Sequence, residues 1–277
     1  MTFDEKLRRY AALIVTHGLN VQPEQLVNIS TEACHRDFAL IIAEEAYKKG
    51  ASFVNLDLLD PRMARLRILQ SKEENLRYVP GYISLKYHEL VERNAANLKL
   101  IGSENPDVLS DLNPKFVNMV RLHQHLAIKY FYDEGIGKSL VHWTVAAAAT
   151  PGWAKKVFPD LDASSAAEQL WDEIFRMCRV DQADCLTVWQ HHNESLKKRA
   201  AYLNQLKVKQ LHFLGNGTDL TVSLSPQAVF KGGTDQSPRG VDFEPNLPTE
   251  EVFTTPDWRG TSGIVRTTRP FLINGKL

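Results

Sequence analysis

The amino-acid sequence predicts an α/β fold, a three-layer arrangement in which helices cover both faces of a doubly wound, mainly parallel sheet. Three observations predict this class. Short apolar runs alternate with amphipathic helical stretches up to about residue 214, and glycines or prolines stand at most of the junctions. The first strand, helix and strand together fit within about 35 residues, the size of one βαβ unit. Strands and helices that alternate in this way form a parallel sheet covered on both faces.

The elements follow in order from their end signals and their apolar spacing. The first helix begins at a capping box, with Thr2 as N-cap and Glu5 three residues later, and it ends at Gly18. Further helices are predicted over residues 34–49, 61–70, 83–96, 114–134, 165–177 and 184–206. Strands are predicted over residues 25–30, 52–58, 97–102, 139–148 and 209–214. We expect a Rossmann-like α/β domain over residues 1–208.

The sequence changes character after Gly215. Glycine, proline, threonine and serine become frequent, and the apolar residues fall into short runs at 220–224, 264–267 and 271–273 without a helical period. We therefore expect a β-rich segment over residues 209–277. About 60 residues of β-structure bury too little surface to form a good core alone. The chain is thus expected to be truncated, ending part-way through its second domain.

Composition limits the classes of partner. Lys and Arg number 33, as do Asp and Glu, so the chain has no basic excess that would favour nucleic acid. The longest apolar run, residues 145–149, is far too short to cross a bilayer, and the N-terminus does not resemble a signal peptide. Three cysteines without CxxC spacing suit a reducing compartment. We expect a soluble cytoplasmic protein that binds neither nucleic acid nor membranes.

Most motifs that would reveal a chemistry are missing. His123 and His125 point to different faces of a predicted helix, as do His191 and His192, so neither pair can share a metal ion. We expect each of these histidines to be a surface or satisfied polar residue. The sequence has no HExxH motif, no glycine-rich phosphate loop that opens a helix, and no Gly-x-Ser-x-Gly.

Two sets of carboxylates remain as candidates. Glu250 and Glu251 stand between Pro248 and Pro256, which stiffen the backbone, so the pair forms either an exposed acidic turn or a ligand for a hard or borderline cation. Asp57 and Asp60 follow the second strand, where doubly wound sheets bind ligands. The alternative for the aspartates is a helix N-cap and strand-end solvation. The residues alone do not identify a reaction.

The segment NLPTEEVFTTP at residues 246–256 closely resembles a signature of the thermophilic-type metalloaminopeptidases, the aminopeptidase T, aminopeptidase S and PepS family. A second specific block is GTDLTV at residues 217–222. Weaker blocks agree in order and spacing at residues 18–23, 43–51, 143–145, 151–159, 170–175 and 201–204. The resemblance covers essentially the whole chain.

This resemblance implies a peptide-hydrolysing enzyme that removes N-terminal amino acids, usually as a homodimer, with two divalent metal ions (Zn, Co, Mn or Mg). In such chemistry one ion polarises the scissile carbonyl, and the pair binds and deprotonates the attacking water. A nearby carboxylate shuttles the proton. By its position in the motif, Glu250 corresponds to a metal ligand, and Glu251 would orient or screen the site.

The sequence also departs from the family pattern. The family's remaining ligands lie in motifs that would follow Leu277, and one carboxylate leaves most of each ion's coordination to water. We therefore expect no catalytic residue within this chain, no peptidase activity from it alone, and no bound metal. The alternative is a non-catalytic α/β module that binds a small ligand or partner protein at the carboxyl edge of the sheet, near Asp57 and Glu104.

Overall fold

The structure, a computed structural model, describes residues 1–268 of the chain. The chain divides into two compact units. The first comprises Met1–Leu186 and Asp235–Pro248, and the second comprises Thr187–Thr234 and Thr249–Leu277. The chain therefore leaves the first unit, enters the second, and returns to the first for a short segment before Glu250.

Up to residue 147 the strands alternate with helices as the sequence predicts; three helices and then eight strands follow within residues 1–268. The α-helices are α1 (Phe3–Leu13), α2 (Arg36–Lys48), α3 (Pro61–Gln70), α4 (Gly81–Glu92), α5 (Pro114–Ala127), α6 (Pro151–Val157), α7 (Ala163–Met177) and α8 (Cys185–Gln205). The strands are β1 (Leu26–Glu32), β2 (Phe53–Leu59), β3 (Ala96–Ile101), β4 (His142–Ala147), β5 (Gln210–Gly215), β6 (Thr218–Leu224), β7 (Lys231–Gly232), β8 (Asp235–Gln236), β9 (Asp242–Phe243), β10 (Asn246–Leu247), β11 (Val252–Phe253) and β12 (Pro256–Ile264). A π-helical turn, Ile14–Gly18, directly extends α1, and a second one, Phe131–Ile136, follows α5.

A five-stranded sheet in the order β10-β4-β3-β1-β2 forms the centre of the first unit. Every neighbouring pair in it is parallel, which confirms the predicted α/β class. The chain runs outward from β1 to β2 and then crosses to the other side of β1 for β3 and β4. This reversal between β1 and β3 is the doubly wound topology that the sequence indicates.

Part of the core of the first unit forms where α1 packs against α2 and α7. Tyr10 of α1 is fully buried, stacks on Phe38 of α2 at 5.7 Å, and lies 6.1 Å from the ring of Phe175. Its hydroxyl donates to the carbonyl of Ala147 at 3.1 Å and accepts from the N–H of the same residue at 3.2 Å. Burial raises the pKa of Tyr10 well above its ordinary value, so the phenol stays neutral and keeps both bonds to β4.

The second unit is built from antiparallel strands and most of α8. Strands β12, β6 and β5 form one sheet, and β11 pairs with β7. A small apolar cluster of Ala200, Leu224 and Phe230 joins α8 to these strands. The side-chain amide of Asn204 also bonds to both backbone groups of Phe230, at 2.9 and 2.8 Å.

Two strand assignments differ from the sequence-based expectation. The expected fifth strand, residues 209–214, becomes β5 of the antiparallel sheet, and β10 supplies the fifth strand of the parallel sheet. The predicted domains, residues 1–208 and 209–277, stay a prediction; the compact units place Asp235–Pro248 with the first unit because β10 pairs with β4. The expected run at residues 271–273 lies outside the described residues. Within residues 1–268 no helix is long and apolar enough to cross a membrane.

Candidate metal site

The Glu250–Glu251 pair lies immediately before a strand of the second unit. Val252 and Phe253 form β11, which pairs antiparallel with Gly232 and Lys231 of β7. A Cβ added to Gly232 would lie 3.0 Å from Val252 Cγ2 and 3.2 Å from the carbonyl oxygen of Glu251. Both distances are shorter than ordinary van der Waals contact, so glycine suits this close approach of β7 to the segment that carries the glutamates.

Helix α8 places a histidine against Glu250. His192 Nε2 lies 2.9 Å from the carbonyl oxygen of Thr249 and 3.3 Å from Glu250 Oε2. A carbonyl oxygen only accepts, so Nε2 carries a proton and donates it. The ring of His192 packs edge-on against the fully buried Trp189 at 5.6 Å. In this arrangement Nε2 acts as a donor beside the carboxylate and has no lone pair for a metal ion.

The two glutamates differ in their surroundings. The Glu250 side chain is 57% exposed, and it meets His192 on one side. The Glu251 side chain folds back toward the preceding residue, where its carboxylate accepts the Glu250 N–H at 3.2 Å. The sequence does not reveal the His192 contact, because His192 and Glu250 lie 58 positions apart and the adjacent histidines give no metal-binding spacing. No local signal in the sequence would have found it.

The aspartates at the carboxyl edge of the sheet are engaged by neighbouring cations. Asp57 pairs with Lys86 of α4. Asp60 caps α3 by accepting the Arg62 N–H at 2.9 Å, and it also binds the Arg62 guanidinium. Arg62 holds the pKa of Asp60 below its usual range. The helix N-cap alternative for Asp60 is thus confirmed.

The thiol at the same edge is held in its neutral form. Partial burial raises the pKa of Cys34 to about 11, and the carboxylates of Glu32 and Glu104 add to the effect. The carboxylate of Glu32 accepts the backbone N–H of Glu104 at 3.0 Å. This group of residues therefore offers no thiolate nucleophile at neutral pH.

Comparison with known proteins identifies the family. A sequence model of the thermophilic metalloproteases (M29) matches residues 3–277. The chain belongs to the thermophilic metalloprotease (M29) family. The relatives confirm the resemblance carried by the NLPTEEVFTTP segment, and they are named as aminopeptidases.

Three similar proteins show the extent of the relationship. Aminopeptidase PepS of Streptococcus thermophilus is 36% identical over 276 residues, which is 99% of this chain and 66% of the relative. Aminopeptidase T of Thermus thermophilus is 36% identical over 275 residues, 99% of this chain and 67% of the relative. The structure of wild-type AmpT from Thermus thermophilus matches with a TM-score of 0.89 at 35% identity, over 99% of this chain and 67% of that chain. The chain thus spans about two thirds of the length of the curated relatives it matches.

The family description implies a divalent metal ion, so the donor set matters. Among residues 1–268 no group of three or more His, Cys, Asp or Glu side chains is arranged to hold an ion. Glu250, the predicted ligand, would supply one carboxylate, and the imidazole of His192 beside it uses its facing nitrogen as a donor. A protein metal site takes three or four protein ligands for each tetrahedral ion. The described residues therefore do not by themselves fit such a metal centre.

Proposed function

We propose that this protein is a metal-dependent aminopeptidase, which releases N-terminal amino acids from peptides. The observation that carries the proposal is the 36% identity to proteins named aminopeptidase PepS and aminopeptidase T over 99% of this chain. The identity extends through both compact units, so it includes the segment of Glu250 as well as the α/β sheet.

Within that function we assign Glu250 as a metal ligand and Glu251 as its neighbour that orients or screens the site. A carboxylate that stands 57% exposed beside a histidine donor suits a ligand whose orientation is held by an outer contact. The complete site would take two divalent ions, Zn, Co, Mn or Mg, which supply an activated water and polarise the peptide carbonyl.

We further propose that the 277-residue polypeptide has no peptidase activity on its own, since among residues 1–268 no three His, Cys, Asp or Glu side chains are arranged to hold an ion. The active form would be a homodimer. We place it in the reducing cytoplasm, because its three cysteines form no disulfide in the part of the chain that the structure describes.

The non-catalytic alternative, suggested for the carboxyl edge near Asp57 and Glu104, has less support at Asp57. Asp57 is paired with Lys86, and Asp60 is used as a helix cap. The carboxylates of Asp57 and Asp60 are therefore occupied by contacts within the protein.

A chimaera tests the proposal. The 277-residue chain and a fusion of it to the part of Thermus aminopeptidase T outside the aligned two thirds are assayed with Leu-p-nitroanilide and added Co²⁺ or Zn²⁺. We expect turnover by the fusion and none above a metal-only control by the chain alone. A fusion that folds as the expected dimer and binds metal but has no activity would contradict the aminopeptidase assignment. Turnover by the chain alone would contradict only the proposed inactivity.

A further inference from the structure

A cavity of about 210 Å³ lies at the amino edge of the parallel sheet, within the first unit. Its walls come from the loops before β1, β3 and β4 and from the β8–β9 hairpin. These three strands are neighbours in the sheet, so the loops that precede them meet at one edge. This edge is opposite to the carboxyl ends where ligands of doubly wound sheets ordinarily bind. Two wall residues, Glu24 and Asn94, have left-handed backbones with φ of 60° and 49°, which a glutamate rarely adopts.

Arg239 brings an uncompensated positive charge to the cavity. It lies in the turn between β8 and β9, where Gly240 N–H bonds back to the carbonyl of Ser237 at 2.9 Å. Its guanidinium makes no hydrogen bond or ion pair with any residue of the described part of the chain. Arginines without a carboxylate partner beside an enclosed space are typical of sites that bind an anion.

Two buried polar residues complete the wall around this charge. Ser237 is 5% exposed, and its hydroxyl accepts the N–H of Val241 at 3.3 Å, which leaves the hydroxyl proton for a ligand. His142 is 2% exposed, and its Nδ1 donates to the carbonyl of Leu19 at 3.1 Å. Burial lowers the pKa of His142, so the ring is neutral at neutral pH and adds no charge.

The sum of charges along the cavity is positive. Arg93 and Arg239 carry two positive charges, and Glu24 carries the one negative charge of the lining. The Arg93 Nε pairs with Glu89 at 3.0 Å within α4, so part of its charge is used there. The cavity shares wall residues with an open depression of about 610 Å³, whose lining adds one cation, Lys49, and one carboxylate, Asp242. The positive excess therefore lies in the inner cavity, at Arg239, where it favours an anionic group, and the small enclosed volume limits the part of the ligand that enters.

We propose that this cavity binds a small oxyanion, a phosphate or carboxylate group, through the guanidinium of Arg239 and the hydroxyl of Ser237. A guanidinium matches two oxygens of such a group with two parallel N–H bonds. The remainder of a larger ligand lies in the outer depression toward Lys49. The site uses none of the residues assigned to peptide hydrolysis.

Calorimetric titration of the 277-residue chain tests the proposal, with inorganic phosphate and acetate as probes at constant ionic strength. Binding of either probe by the unaltered chain is expected, and the stronger of the two identifies the group that is recognised. Arg239→Gln weakens that binding about tenfold or more, because a hydrogen bond to a charged group is lost. Glu24→Gln tightens it, because the carboxylate that competes with the ligand is removed.

The matched control is Arg121→Gln, which removes an exposed arginine of α5 that does not line the cavity. Its affinity for the probe equals that of the unaltered chain, and circular dichroism verifies that both arginine variants are folded. The proposal is overturned if neither probe binds, if Arg239→Gln and Arg121→Gln weaken binding equally, or if Glu24→Gln weakens it.

Discussion

The imidazole of His192 lies between the backbone and the side chain of the same acidic segment. Its Nε2 is 2.9 Å from the carbonyl oxygen of Thr249 and 3.3 Å from Glu250 Oε2. A single group on α8 therefore holds both the chain before Glu250 and one side of its carboxylate. The glutamate is exposed, yet its position is defined by a helix more than fifty residues earlier in the sequence.

Removing this imidazole should loosen the segment. We predict that His192→Ala lowers the free energy of unfolding by about 1 kcal/mol, the usual worth of one hydrogen bond. His192→Gln should recover part of that loss, because a side-chain amide can donate to the Thr249 carbonyl. Urea denaturation of the three proteins measures the difference.

His191→Ala is the matched control, since His191 is the exposed neighbour on the same helix. An exposed substitution of this kind changes the free energy of unfolding by no more than about 0.5 kcal/mol. Equal losses in His191→Ala and His192→Ala would show that the Thr249 and Glu250 contacts add nothing to stability.

His142 should make stability depend on pH on the acidic side of neutrality. Burial lowers the pKa of His142 in the folded chain, so below about pH 6.5 the unfolded chain binds more protons at this residue than the folded one. The contribution of neutral His142 to the free energy of unfolding is therefore fully present above the unfolded pKa. It is lost as the pH falls below that value. The slope from this one residue is at most about 1.4 kcal/mol per pH unit.

The measurement is the free energy of unfolding of the unaltered chain and of His142→Gln at pH 7.5, 6.5 and 5.5, which roughly span the ordinary histidine pKa. We expect the variant to be less stable at pH 7.5, because it loses the bond to Leu19 and the stacking of His142 on Phe243. Its stability should fall less steeply toward acid. Parallel curves would show that His142 titrates alike in both states.

Two glycines in the first turns of helices should respond oppositely to alanine. A Cβ on Gly152 of α6 would lie 1.9 Å from the carbonyl oxygen of Glu104, whereas no described atom lies within 4 Å of a Cβ on Gly81 of α4. We predict that Gly152→Ala costs about 1–3 kcal/mol, because backbone must move. Gly81→Ala should stabilise by about 0.4–1 kcal/mol, because the unfolded chain loses freedom.

Thermal or urea unfolding of both variants measures this contrast. If Gly152→Ala were as stable as Gly81→Ala, the packing of the α6 start against the loop after β3 would be wrong. The pair is informative because the substitution is the same and both sites begin a helix.

The sequence predicts the α/β class well, because long elements carry their own signals. The apolar spacing of α1 and its capping box at Thr2 and Glu5 appear in the structure as expected. Elements that lack such signals are not predicted from the sequence. Strand β10, for example, has two residues and is defined only by its pairing with β4. Helix α6 has seven residues and begins with Pro151-Gly152, which by themselves indicate a strand end and a turn.

Local motifs also compete with one another. The Ser165-x-x-Glu168 pattern predicts the start of a helix, but Asp162 takes the cap and accepts the N–H groups of Ser164 and Ser165. At the candidate site the sequence identifies Glu250 through its resemblance and misses His192. That contact depends on how α8 folds within the second unit, which no spacing within the sequence encodes.

The assignment of Glu250 as a metal ligand is tested most directly by equilibrium dialysis of the chimaera against Zn²⁺ or Co²⁺, with metal content read by elemental analysis. Loss of a carboxylate that ligates an ion should weaken the binding of at least one ion far more than loss of the adjacent carboxylate does. We predict that Glu250→Gln lowers metal affinity by about tenfold or more, whereas Glu251→Gln has a smaller effect. Metal affinity and stoichiometry in Glu250→Gln equal to those of the unaltered chimaera would contradict the account.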